Sequence, residues 1–221
     1  MPDKLPKDMT MAERRALYSK HRHPPTTDRE ARALERVLWL FREMPRIKPA
    51  TVLDIGCESG FITRWMVDEP YVKQFVGIDP CEFSIEHAKN LVKKRSHPEK
   101  ATYEVKGWED NLCRYSEVED GSSILSVSWA AVVCFEVIEH FMPDEGVKLV
   151  EKIHSLLKPG GTAFLCTPAL NGRYGLNNPD PWHLTIYDLE YLSKMIKKTT
   201  GVDVVPDNSD PDFIMLKWTK V

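Results

Sequence analysis

The chain has 221 residues, 42% of them hydrophobic and 29% charged, with a net charge of −3. That balance describes one soluble globular domain with a real core, and it excludes a disordered or fibrous chain. The slight acidic excess argues against nucleic-acid backbone as the main ligand, and no apolar run is long enough to span a bilayer.

The first thirty residues lack the apolar stretch of a secretory signal. Five cysteines, an odd number with no C-x-x-C pair, read as free thiols in a reducing compartment, so the expected location is cytoplasmic. Thr10 and Glu13 form a capping box ahead of a short charged helix, which Pro24-Pro25 must end. A second helix is predicted from Thr27 or Asp28, with Leu34, Val37, Leu38 and Phe41 as its apolar face. Residues 1–50 carry twelve Lys/Arg against seven Asp/Glu, a local basic excess that reads first as a solvated face. Residues 1–49 are thus expected to form a helical cap, and 50–221 the main domain.

From Thr51 onward strands alternate with helices. Strands are predicted over Thr51–Ile55, Phe75–Asp79, Tyr103–Val105, Ala130–Phe135 and Thr162–Thr167, with amphipathic helices between them. The run Lys158-Pro159-Gly160-Gly161 is expected to halt the helix after the fourth strand, with glycine as its left-handed cap. Asp188 caps a last helix, followed by strands over Val202–Val205 and Phe213–Trp218. This grammar calls for an α/β fold with a mostly parallel sheet covered on both faces. The last two strands have no helix between them and so form an antiparallel pair at one edge.

In such a sheet, ligands bind beyond the carboxyl ends of the strands. The first strand ends in Asp54-Ile55-Gly56-Cys57-Glu58-Ser59-Gly60, whose glycines permit a tight turn and close backbone approach to a ligand. The second ends in Asp79, twenty-five residues after Asp54, where a carboxylate can accept both hydroxyls of a ribose. After the fourth strand, Glu136-Val137-Ile138-Glu139-His140 sets two acids three residues apart with a histidine directly following. A bend there would aim Glu136, Glu139 and His140 into one cleft, and His183 could complete a ligand set suited to Mg²⁺, Mn²⁺, Fe²⁺ or Zn²⁺. Metal-free, His140 instead suits the role of general base. Cys57, Cys81, Cys134 and Cys166 read as packed thiols rather than zinc ligands, and His87 and His154 as surface or packing residues on helices.

Taken in order, these segments resemble the motifs of class I methyltransferases that use S-adenosylmethionine. Val52 to Gly60 resembles the first motif, Gly77-Ile78-Asp79 the second, Val132 to His140 the fourth-strand motif, and Leu156 to Gly161 the turn before the fifth strand. The resemblance implies a Rossmann-like class I methyltransferase fold, with a seven-stranded sheet and an antiparallel edge strand. It also implies cofactor roles. The loop from Gly56 through Cys57 to Gly60 would contact the methionine moiety, with Asp54 bonding through that loop or to the amino group. Asp79, with Pro80 beside it, would hold the ribose; Trp108 and Glu109 would lie by the adenine; Phe135 and Glu136 would face the methyl group. Two departures stand out: Trp108 occupies a place where relatives often carry an acid, and Glu58 replaces the middle glycine of the first motif.

E-x-x-E-H with a later histidine also resembles the small-RNA 3′-end 2′-O-methyltransferases, and quinone-biosynthesis O-methyltransferases share its first part. The reaction implied is methyl transfer to oxygen or nitrogen of a small-molecule or glycan acceptor, with Glu136 and His140 as catalytic residues. The rivals are a metal-dependent methyltransferase of RNA 3′ ends, for which the basic N-terminal segment would be the track, and a non-catalytic S-adenosylmethionine binder, suggested by Glu58. The loop from Leu170 to Trp182 is expected to shape the acceptor pocket through Asn171, Arg173, Tyr174 and Trp182.

Overall fold

The computed structural model describes residues 8–18, 27–110, 112, 114–117, 123–126, 129–173, 175–176, 180 and 182–221. The chain runs α1 (Met11–Tyr18), α2 (Thr27–Ile47), β1 (Thr51–Ile55), α3 (Thr63–Met66), β2 (Gln74–Asp79), α4 (Glu82–Val92) and β3 (Ala101–Val105). It continues β4 (Arg114–Glu117), β5 (Ser123–Ser126), β6 (Trp129–Phe135), α5 (Pro143–Leu156), β7 (Leu157–Pro168), α6 (Leu189–Thr200), β8 (Val205–Asp207) and β9 (Phe213–Thr219).

Seven strands form one sheet in the order β3-β2-β1-β6-β7-β9-β8. Pairing is parallel from β3 through β7, and β9 runs antiparallel to both β7 and β8. The antiparallel pair therefore closes one edge, as expected, although β8 begins three residues later than Val202. Strands β4 and β5 make a separate antiparallel ladder that the sequence reading did not anticipate. Strand order reverses between β1 and β6, and this switch point is where a ligand crevice opens.

Alternating side chains send the strands into two cores. Leu53, Val76, Val132, Cys134, Ala163, Leu165 and Leu216 pack with α5 and α6, whereas Val52, Phe75, Ala131, Val133, Phe164 and Met215 pack with α2 and α4. Near-continuous apolar strands are what a sheet buried on both faces requires.

Two local expectations are corrected. The buried stripe of α2 is Arg36, Val37, Trp39, Leu40, Glu43 and Met44, while Leu38 is 48% exposed; the side chain of Leu34 lies outside the described residues. A purely apolar count misses this phase because Arg36 and Glu43 are buried as ion pairs, with Glu136 and Lys217 respectively. Trp39 anchors the helix by stacking on Phe135 (5.8 Å) and meeting Phe164 edge-on (5.4 Å). At the other end, α5 passes into β7 through an extended Leu157, without a glycine cap. Gly160 (φ 75°) sits instead in a bulge of β7, where its N–H donates to Lys220 O (2.8 Å) and Lys220 N–H donates to Gly161 O (2.9 Å). Among the described residues, no helix is long and apolar enough to cross a membrane.

Candidate active site

A cleft of about 780 Å³, partly open to solvent, lies beyond the carboxyl ends of β1, β2, β3 and β6. Its first wall is the turn after β1. Gly56 has φ 74°, and a Cβ there would sit 2.3 Å from Val137 Cγ2, so only glycine fits. The N–H groups of Gly56 and Cys57 both donate to Ile78 O at 2.9 Å, tying this turn to the end of β2. Gly60 (φ 73°) brings the chain against Ala88 on α4.

Asp79 is buried at the end of β2 and accepts N–H donors from Cys81 (2.8 Å) and Glu58 (3.1 Å). Burial pushes its carboxyl up to about 7, opposed by these two hydrogen bonds and reinforced by the Glu58 charge. Glu58 itself adopts φ 45°, the left-handed conformation for which a glycine would be the natural residue. Trp108 is buried, edge-on to Phe141 at 5.8 Å, and forms a wall of the cleft beside Glu109.

The opposite wall follows β6. Glu136 takes φ 55° and lines the cleft, and its Oε1 lies 2.6 Å from Arg36 Nη2. The next turn, Ile138–His140, is clipped to the loop before α6: Leu184 and Thr185 N–H both donate to Glu139 O, at 2.7 and 3.1 Å. His140 Nδ1 lies 3.0 Å from Trp182 O; since a carbonyl only accepts, Nδ1 carries the proton and Nε2 is the lone-pair nitrogen. Burial holds the His140 imidazolium form down, only partly offset by the Trp182 carbonyl and the charges of Asp180 and Glu136. Glu139 is buried, accepts from Thr167 Oγ1 (2.9 Å), and is pushed up to about 7 by burial and by the Glu136 charge.

Ligand atoms of Glu139, His140 and His183 lie within 4.8 Å of one another, and the rings of the two histidines meet edge-on at 5.2 Å. Glu139 Oε1 and His183 Nδ1 are buried without a hydrogen-bond partner. One carboxylate and two imidazoles, with unmet atoms on Glu139 and His183, fit a divalent cation. The structure thus brings together three of the four expected ligands, while Glu136 turns to Arg36.

Of the expected cofactor residues, Gly56, Asp79, Pro80, Trp108, Glu109 and Glu136 line the cleft. Asp54 and Cys57 are buried beneath the turn that begins there, and Gly60 is packed against α4. Phe135 stacks on Trp39 in the α2 core. In the acceptor loop, Trp182 lines the cleft, Asn171 is exposed, and Arg173 pairs with Asp212; Tyr174 lies outside the described residues. Cys57, Cys81, Cys134 and Cys166 are buried free thiols.

Several residues escaped the sequence reading. Met11 and Arg14 of α1 cover the cleft, and Arg14 is held by Met9 O (2.7 Å) and by an ion pair to Glu145 on α5. Their i, i+3 spacing on α1 was the available signal. The capping box of Thr10 and Glu13 is present, with N–H···O distances of 2.8 and 3.2 Å. Thr167, at the carboxyl end of β7, was open to the same strand-end rule that found Asp79. Arg36 had no such signal.

The methyltransferase-domain family matches residues 26–210. The ubiquinone biosynthesis O-methyltransferase of Xanthomonas campestris pv. campestris (strain B100) is 32% identical over 152 residues, 68% of this chain and 54% of that protein. Its counterpart in Leptothrix cholodnii is 28% identical over 169 residues, 75% and 61% of the two chains. The chain therefore spans a little over half the length of these curated relatives. Among solved structures, the methyltransferase domain of bacterial CtHen1 has a TM-score of 0.62 at 16% identity, covering 83% of this chain and 97% of that one. The N-methyltransferase NodS of Bradyrhizobium japonicum WM9 has a TM-score of 0.61 at 16% identity, covering 88% and 98%. At such identities the likeness to solved structures is one of fold.

Proposed function

Because the chain belongs to the class I S-adenosylmethionine-dependent methyltransferases, we propose that it moves the sulfonium methyl group onto an oxygen or nitrogen of a small-molecule acceptor. The observation that carries this reading is a cleft with Asp79 and Trp108 on one wall and Glu136 and His140 on the other. Asp79 would accept the ribose hydroxyls, the Gly56–Gly60 turn would meet the methionine moiety, and Trp108 would wall the adenine. The curated relatives named as O-methyltransferases favour oxygen.

The reaction is an in-line displacement. An acceptor lone pair forms the new bond to the methyl carbon while the C–S bond breaks, its electron pair staying on sulfur to give S-adenosylhomocysteine. The sulfonium is already a good leaving group, so the protein chiefly aligns the partners and excludes water. The N-terminal cap acts through α1, whose Met11 and Arg14 close the cleft, while α2 packs into the core of the methyltransferase domain.

The acceptor end fits a cation, held by Glu139, His140 and His183, and the two unpartnered ligand atoms favour it. Such an ion would polarise the acceptor oxygen and ease loss of its proton. Without it, Nε2 of His140 takes that proton as general base. The buried free thiols support a reducing, cytoplasmic setting.

Calorimetric titration of S-adenosylmethionine and S-adenosylhomocysteine, with Mn²⁺ or with EDTA, tests the reading. Saturable binding of both cofactor forms plus a separate Mn²⁺ event is expected. Failure to bind either form would remove the enzyme assignment, and full methyl transfer in EDTA would remove the cation.

A further inference from the structure

Arg36 lies outside every motif that the family resemblance supplies, yet it is buried and paired with a residue of the cleft wall. It projects from α2 with its side chain only 6% exposed, and its guanidinium carbon stands 4.2 Å over the Phe213 ring at the start of β9. Its Nη2 holds Glu136 Oε1 at 2.6 Å. Glu136 in turn sits in the left-handed conformation, φ 55°, three residues before Glu139 and four before His140. Its carboxylate lines the same cleft as His140, and its charge reaches both Glu139 and His140. Glu136 therefore brings a carboxylate into the cleft that the cluster borders, and its ion pair with Arg36 turns it elsewhere.

We propose that Arg36 is a positioning residue that limits the Glu139–His140–His183 cluster to three protein ligands by holding Glu136 out of it. This rests on the reading of that cluster as a cation site. A catalytic ion needs coordination positions left open for the reacting oxygen, and every further protein ligand takes one of them. Breaking the pair is costly because it would strand a buried guanidinium without its counter-charge, so the arrangement holds without a ligand. The restraint comes from α2, so the helix that packs on the sheet also sets how many ligands the acceptor end presents.

The test is Mn²⁺ affinity, measured by calorimetry on the whole chain in wild type, Arg36→Met, Glu136→Gln and the double variant. Methionine keeps an apolar stem over Phe213 and removes only the charge. Arg36→Met should bind Mn²⁺ on the order of tenfold more tightly and turn over more slowly. Glu136→Gln and the double variant should show no gain over wild type, since the gain requires the released carboxylate. Arg36→Lys, which can still pair, should stay near wild-type affinity and guards against a packing effect. If Arg36→Met binds no more tightly than wild type, or its gain survives in the double variant, the proposal falls while the cation site stands. If neither wild type nor Arg36→Met binds Mn²⁺, the cation reading falls and takes the proposal with it.

Discussion

The two ends of the cleft are built on different plans. At the cofactor end, position is set by backbone groups: Gly56 and Cys57 hang from Ile78 O, and Asp79 is gripped by the N–H groups of Glu58 and Cys81. At the acceptor end, position is set by side chains reaching across the sequence. Thr167 orients Glu139 from 28 residues away, the Trp182 carbonyl fixes His140 from 42, and Arg14 reaches Glu145 across 131. A backbone-built site is rigid once its strands pair. A side-chain-built one can be retuned by a single substitution, which suits the end where acceptors differ.

The largest effect expected from this contrast is at Gly56. Alanine would have to hold φ 74° and place its Cβ 2.3 Å from Val137 Cγ2. About 3 kcal/mol of destabilisation follows, together with loss of S-adenosylmethionine binding, read by urea denaturation and calorimetry. His183→Ala at the other end should leave cofactor affinity intact. Equal loss in both variants would break the division of the cleft.

Asp79 sharpens the same division through pH. Its carboxyl is raised from 3.8 to about 7, so the folded chain keeps a proton that the unfolded chain releases near pH 4. The folded state therefore binds more protons across that window, and stability falls as pH rises from about 4 to 7 before levelling off. Cofactor affinity should move oppositely, rising through pH 7 as the carboxylate becomes the stronger acceptor for ribose hydroxyls. Asp79→Asn should flatten both profiles and weaken binding roughly 10- to 100-fold. An unchanged affinity in that variant would take Asp79 out of the site.

The same contrast explains what could be read before the structure. The fold, and the turn and acid that end β1 and β2, were legible because their determinants are local. Five apolar strands, a glycine turn after β1 and an acid ending β2 can all be recognised within a few residues of chain. Glu139, His140 and His183 were legible as residue types, since they follow a strand end and a loop. Which of the four candidates come together was not, because Glu136 pairs instead with Arg36, and a buried arginine on an N-terminal helix looks like any surface charge. The phase of α2 was misread for the same reason. The stacking of Phe135 on Trp39 was not legible either, because strand alternation says which faces a side chain can take and not which partner it meets there.

Thr167→Val tests the side-chain plan with little change in shape. Thr167 and Glu139 are both buried, so loss of the 2.9 Å hydrogen bond leaves a carboxyl group under-satisfied at a cost of about 1–3 kcal/mol. Mn²⁺ affinity should fall roughly tenfold, while S-adenosylmethionine affinity is preserved. A parallel fall in cofactor binding would mean that the two ends are mechanically one.

The smallest expected effect lies where the backbone plan carries a flaw. Glu58 holds φ 45° beside Asp79, and a side chain in the left-handed region costs about 1–2 kcal/mol. Glycine removes that cost but brings its own loss of chain entropy, about 0.5–1 kcal/mol. Glu58→Gly should therefore stabilise the fold modestly, by less than about 1.5 kcal/mol and a few degrees in Tm. The N–H donated to Asp79 is retained, since it belongs to the backbone. Removing the Glu58 charge also takes away one of the influences that raise the Asp79 carboxyl, so its titration should move below 7. A thermal melt and a pH series of cofactor binding read the two effects separately. Loss of stability in Glu58→Gly would mean that the glutamate side chain makes contacts worth more than the strain it imposes, and the turn would then join the acceptor end as a side-chain-built element.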